Sequence, residues 1–268
     1  MLTVAEIDGA ARALDEAERT RTQIGLLSLA FPHMTMDDAY AIQAAWVAMK
    51  RGRGATVRGH KIGLTSRAMQ MALNIDTPDS GVLLDHMFFD DGGAIPTARF
   101  IATRIEAELA FVLKAPLEGP DRTLDDVLNA TDYVTPALEI LDTRVVRQDP
   151  ATKQARTICD TIADNAANAG IVAGGRRLRP QDTDLRWIGA IVSRNGVVEE
   201  TGLAAGVLNH PALGVAWLAN RLHAQRLAPL ARGEIILSGS FMRPIEARQG
   251  DAFVADFGPW GAVSCHFA

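Results

Sequence analysis

Arg104-Ile105-Glu106-Ala107-Glu108-Leu109-Ala110-Phe111 reads as a β-strand with two unlike faces. Positions i and i+2 of a strand point the same way, so Glu106 and Glu108 share one side. Ile105, Ala107, Leu109 and Phe111 turn to the other side and can enter a core. Taken alone, a Glu-x-Glu pair also fits the polar face of a half-exposed strand. Glu139 shifts that balance. It stands in Pro136-Ala137-Leu138-Glu139-Ile140-Leu141, with no basic residue nearby before Arg144, so solvation is not its obvious fate. An ionised carboxylate is costly to bury unless it is paired or bound to a metal. Three converging carboxylates therefore call for a cation, and an all-oxygen ligand set favours a hard divalent one.

Outward from this strand the chain divides in texture. The first fifty residues read as helices. Thr35-Met-Asp-Asp38 has the form of a capping box with Asp38 in place of the usual Glu, and Ala39, Ile42, Trp46 and Met49 follow at helical spacing. Gly52 and Gly54 end that helix, and the run Lys50-Arg51-Gly52-Arg53 reads as its solvated exit. From Val57 short β-like runs alternate with Gly, Pro and Asp clusters. They cover 57–62, 82–84, 105–113, 135–141, 171–173, 234–237, 252–257 and 263–267. Thr123-Leu-Asp-Asp126 starts a brief helix, and Asn209 with Pro211 starts a longer one through Trp217 and Leu222. Asn195-Gly196 between two β-like runs predicts a hairpin with a type I′ turn. Arg147 to Arg156 should be an exposed loop. The expected fold is α+β: a helical N-terminal segment over 1–60, packed on a largely antiparallel or mixed β body over 61–268.

The chain has 268 residues and a formal net charge of −5, with no basic stripe, which argues against a nucleic-acid surface. Its two cysteines, Cys159 and Cys265, show neither disulfide nor zinc spacing, so a reducing compartment is expected. The start lacks the pattern of a signal peptide and no apolar run is long enough to span a bilayer, so no membrane association and a cytoplasmic location are expected. Nucleotide-binding glycine motifs, a nucleophile elbow and Cys/His metal patterns are absent.

Other residues carry two readings each. Lys61 either leaves a strand into a turn or supplies an ammonium tunable by burial. His60 is a satisfied core histidine or an acid–base group. Asp79-Ser80-Gly81 and the stretch Asp160 to Asn165 have turn-forming composition. Gly239-Ser240 is a plain turn, or a loop that offers N–H groups and a hydroxyl to a carboxylate.

Five stretches then combine: Gly59-His-Lys-Ile-Gly-Leu-Thr-Ser66, Arg104 to Phe111, Asp164-Asn-Ala-Ala-Asn-Ala-Gly170, Ala204-Ala-Gly-Val-Leu-Asn-His-Pro211 and Ile236-Leu-Ser-Gly-Ser-Phe241. Together they resemble the hydratase/decarboxylase branch of the fumarylacetoacetate hydrolase superfamily, and the likeness spans nearly the whole chain. The resemblance implies a mixed β-roll with a helical N-terminal part, in a homo-oligomer that extends in some members to a decamer. It implies Mg²⁺ or Mn²⁺ held by three carboxylates, which map onto Glu106, Glu108 and Glu139. The active-site lysine maps onto Lys61 and an acidic residue after it onto Asp79, with His60 as a further acid–base candidate. Ser240, Asp160, Arg67 and Arg104 are the candidates for substrate contact, and Arg144 joins the arginines that could meet a distal carboxylate. The implied substrates are small 2-hydroxy-2,4-dienoates or their 2-oxo-enoate tautomers, hydrated in aromatic catabolism. Decarboxylation of a 2-oxo-enedioate is the alternative on the same scaffold. C–C hydrolysis of an acylpyruvate ranks lower, and a non-catalytic assembly partner is the alternative from another class.

Overall fold

Three helices open the chain: α1 (Val4–Thr20), α2 (Leu27–Ala30) and α3 (Met36–Gly52). The computed structural model describes residues 1–67, 70–71 and 75–268. The expected capping box starts α3. Thr35 Oγ1 accepts from the Asp38 N–H at 3.2 Å and Asp38 Oδ2 accepts from the Thr35 N–H at 2.9 Å, so two donors that the helix leaves orphaned are satisfied. The apolar stripe that follows buries Ile42 and Trp46 against Leu14 of α1 and Ile162. The exit of α3 is exposed over Arg51–Arg53, as expected, but Lys50 departs from that reading. Lys50 is buried, paired with Glu18 of α1 and set 4.5 Å from the Trp46 ring.

The strands form two sheets. The larger is mixed, in the order β2 (Asp79–Leu84), β1 (Val57–Gly63), β10 (Ile235–Leu237), β5 (Arg104–Leu113), β6 (Thr131–Leu141), β7 (Asn168–Ala173) and β3 (Phe88–Phe89), with β11 (Ile245–Glu246) beside β5. The smaller runs β4 (Ala94–Ile95), β13 (Ala262–Phe267), β12 (Ala252–Asp256), β8 (Gly189–Arg194) and β9 (Val197–Leu203). β8 and β9 form the predicted hairpin, with Asn195 at φ 54° and Gly196 at φ 81° as a type I′ turn requires. Ile105, Leu109 and Phe111 of β5 meet Phe253 and Phe267 of the smaller sheet in the main core. Burying each such side chain contributes about 1.5–3 kcal/mol.

Among the described residues the frame is completed by α4 (Leu124–Ala130), α5 (Ile158–Ala163) and α6 (Pro211–Ala224). α6 begins with His210 as its cap, whose ring accepts from the Ala212 N–H, instead of the expected Asn209. Asp160 belongs to α5 and Asp79-Ser80-Gly81 to β2, where the sequence suggested turns. The large sheet rolls up. Val82 of β2 exchanges two hydrogen bonds with the Asn165 side chain, 2.8 and 3.0 Å, at the entry to β7, four strands beyond β1.

Candidate metal centre

β5 and β6 pair antiparallel with Glu106 directly opposite Glu139, and Glu108 lies two residues along the same face. One carboxylate oxygen from each of the three lies within 4.8 Å of the others. Like charges placed opposite each other across a ladder repel. Here they are also withdrawn from water: Glu108 and Glu139 are buried and Glu106 is half-buried. Burial first, and the Glu139 charge second, raise the Glu106 carboxyl to about 8. The same two causes lift Glu108 well above the usual carboxylate range, and burial lifts Glu139 against the pull of Lys61.

The surrounding polar groups leave the triad half satisfied. Gly239 donates its N–H to Glu108 Oε2 at 2.8 Å. Glu108 Oε1 and Glu139 Oε2 are buried without a hydrogen-bond partner among the described residues. Buried polar atoms are normally paired, so orphaned carboxylate oxygens in a cluster point to a ligand of opposite charge. The donor set fits a hard divalent cation: three hard anionic oxygens, close together, with neither sulfur nor imidazole among them.

Lys61 faces the triad from β1. Its Nζ stands 3.4 Å from Glu139 Oε1 although β10 and β5 lie between the two strands, which requires the sheet to curl around the site. Burial would lower the Lys61 pKa, but Glu139, Asp79, Glu106 and Glu108 outweigh it and the net direction is upward. Asp79 on β2 sits opposite Gly63 in the β1–β2 ladder. A Cβ on Gly63 would fall 2.3 Å from Asp79 Oδ1 and 3.0 Å from Lys61 Nζ, so the missing side chain lets this acid and this base close on each other. Asp79 Oδ1 is itself buried without a hydrogen-bond partner among the described residues, and burial raises its carboxyl against the opposing charges of Lys61 and Arg156.

No family model matches the chain. It is 59% identical over 257 residues, 96% of each protein, to the 2-oxo-hept-4-ene-1,7-dioate hydratase of Escherichia coli. The chain belongs to the hydratase/decarboxylase branch of the fumarylacetoacetate hydrolase superfamily. Within that branch it is also 39% identical to the 2-hydroxyhexa-2,4-dienoate hydratase of Comamonas testosteroni, over 97% of each chain. The 4-oxalocrotonate decarboxylase from Pseudomonas putida G7, solved with magnesium and adipate, superposes with a TM-score of 0.93 at 35% identity, covering 100% of this chain and 99% of that one. The α+β roll with its helical start is the fold of this branch.

The remaining candidates of the branch separate. Strand alternation turns His60 away from Lys61, and its nearest acid is Glu234 at 3.8 Å. Burial drops the His60 pKa to about 4, so the ring is neutral near pH 7, away from the triad and without an acid–base task there. Asp160 is fully engaged elsewhere. It caps α5 through Thr157 and accepts from the Ser28 N–H and hydroxyl at 2.8 and 2.7 Å, so it ties α2 to α5 and has no oxygen to spare for a substrate. Arg144 is buried beneath Trp46 and locked to Asp164 by its Nε at 2.5 Å, which removes it from the arginines that could meet a distal carboxylate. Ser240 makes a turn of its own, with its hydroxyl bonded to the Met242 backbone, on the loop whose Gly239 touches Glu108. Arg67 is exposed at the start of a segment of which residues 68, 69 and 72–74 lie outside the described ones. Arg104 shares the face of Glu106 and is half-buried.

Proposed function

We propose that this chain is a hydratase that adds water to 2-oxo-hept-4-ene-1,7-dioate, giving 4-hydroxy-2-oxoheptanedioate, with Mg²⁺ or Mn²⁺ as its metal, in a homo-oligomer. The observation that carries the reading is the buried Glu106–Glu108–Glu139 triad with its orphaned oxygens. The substrate follows from the 59% identity to the Escherichia coli hydratase across 96% of both chains.

Glu106, Glu108 and Glu139 would hold the metal. Bound there, a divalent cation supplies Lewis acidity to a 2-oxo acid. Lys61 keeps its proton because four carboxylates surround it, so it presents a fixed positive charge where negative charge grows on the 2-oxygen. Asp79 lies against Lys61 with one free buried oxygen and a raised pKa, suited to taking a proton from the attacking water and returning one to the carbon chain. The rolled sheet excludes bulk water from these groups, which strengthens both effects.

Loss of dienol ultraviolet absorbance tests the reading. Wild-type protein with Mg²⁺ is expected to turn over. EDTA treatment and Glu106→Gln are each expected to reduce the rate at least ~100-fold. Turnover that survives either would sink the metal role. A second reading, loss of CO₂ from a 2-oxo-enedioate, is favoured by the backbone match to the decarboxylase. Release of CO₂ without incorporation of ¹⁸O from labelled water would select it.

A further inference from the structure

Three guanidinium groups lie close enough to feel one another's charge, one of them on the strand that carries Glu106. Arg104 lies two residues before Glu106 on the same face of β5, about 7 Å along the strand. Arg147 and Arg156 sit at the open ends of a short antiparallel hairpin: the Arg156 N–H donates to the Arg147 carbonyl at 2.9 Å, and Gln148 bridges Ala155. All three side chains are half-buried, and Arg156 Nη1 is fully buried. None of the three guanidiniums has a hydrogen bond or an ion pair among the described residues. Arg104 and Arg147 line a cavity of about 340 Å³ between Ile101–Arg104 and Glu246–Arg248.

The neighbouring acids act on this cluster from a distance, and none forms an ion pair with it. Asp142 accepts from the N–H groups of Ile101 and Ala102. Asp164 is taken by Arg144, Glu246 by Arg248, and Asp160 by Ser28 and Thr157. Asp79 has Lys61 beside it. Burial lowers the Arg147 pKa to about 10, with Arg104 and Arg156 adding to it and Asp142 and Glu246 opposing, and burial lowers that of Arg156 against the charges of Asp164, Asp79 and Asp160. Half-buried guanidinium groups with no hydrogen bond or ion pair, one of them with a fully buried unpartnered Nη1, are open donors for an anion.

We propose that Arg104, Arg147 and Arg156 form an anion subsite beside the carboxylate triad that takes the second carboxylate of a dicarboxylic 2-oxo acid. This rests on the reading of the triad as the place where the 2-oxo acid end is held. The planar forks of arginine suit a carboxylate, and the distance along β5 sets the two ends of a chain of intermediate length apart. Arg147 and Arg156 are thereby specificity residues, and monocarboxylic substrates forgo them.

Calorimetry on the Mg²⁺-loaded protein with 2-oxoheptanedioate and 2-oxoheptanoate separates the possibilities. The two probes differ only in the terminal carboxylate, and neither needs turnover. Wild type is expected to prefer the dioate by about 100-fold. Arg156→Met and Arg147→Met should each erase about tenfold of that preference, while Mg²⁺ affinity and binding of 2-oxoheptanoate stay unchanged. Arg156→Lys should restore part of it. Equal binding of both probes by wild type, or an intact preference in the double Met variant, overturns the arginine subsite and leaves the triad untouched. Failure of the loaded wild type to bind either probe overturns the reading of the triad, and the subsite with it.

Discussion

Glu106 opposite Glu139 is the residue-level conflict from which the site's chemistry derives. In metal-free protein burial raises all three carboxyls, Glu106 to about 8, and repulsion by Glu139 adds to the rise at Glu106 and Glu108. The folded state then binds more protons than the unfolded chain, whose glutamates titrate near 4.5. Stability contributed at low pH is lost as pH rises from that value through about 8, because the slope of unfolding free energy follows bound protons in the unfolded minus the folded state. In EDTA the melting temperature should therefore fall between about pH 5 and about pH 8 relative to Glu108→Gln, which lacks one of the titrating groups. Mg²⁺ should raise the wild-type melting temperature more at pH 8 than at pH 6 and the variant's very little. A wild-type melting curve in EDTA no more pH-sensitive than the variant's would show that the three acids do not interact as their geometry requires.

The elements that carry the site differ in how far the sequence reveals them. β5 and the Glu139 strand are legible because alternation is a local property: which face Glu106 and Glu108 share is fixed within three residues. The hairpin at Asn195-Gly196 and the box at Thr35 are legible for the same reason. Asp79 is reached through the resemblance alone, since Asp-Ser-Gly has the composition of a turn, and the β1–β2 register sets it opposite Gly63 on the strand of Lys61. Nor can a sequence show that Arg144 is spent on Asp164 while Arg156 is free, because partners distant in the chain decide that. Asp160 is the clearest case, an acid with a turn's composition in sequence, offered as a substrate contact by the resemblance, and a cap in space. Its carboxylate satisfies the Ser28 and Thr157 N–H groups at 2.8 Å each. Asp160→Ala should cost about 1–3 kcal/mol by leaving those donors unpaired. Denaturant unfolding would measure it, and the substrate KM should stay within about twofold, a change that corresponds to well under 1 kcal/mol. A KM increase without loss of stability would return Asp160 to the substrate.

At the scale of the whole molecule, the N-terminal helices do more than cover a sheet: they fix the strand that carries Asp79. Gln43 on α3 is buried and donates from Nε2 to the Ser80 carbonyl at 2.8 Å and to the Ile162 carbonyl at 2.9 Å, linking β2 to α5. Tyr40, one turn earlier, accepts the Ser80 N–H at 3.1 Å under the Arg221 guanidinium. The triad itself stands on β5 and β6, which these contacts do not touch. The two halves of the site thus have separate supports, and a change in the helical layer should reach one without the other. Gln43→Leu keeps the volume close to the original and leaves two buried carbonyls without a donor, at a cost of about 1–3 kcal/mol. With Asp79 less firmly placed against Lys61, kcat should drop about tenfold, the range in which small displacements of a proton-transfer group register. Mn²⁺ affinity, read by electron paramagnetic resonance, should be unchanged. Parallel loss of metal binding would mean that the helices support the entire site, and an unaltered kcat would mean that β2 holds Asp79 without them.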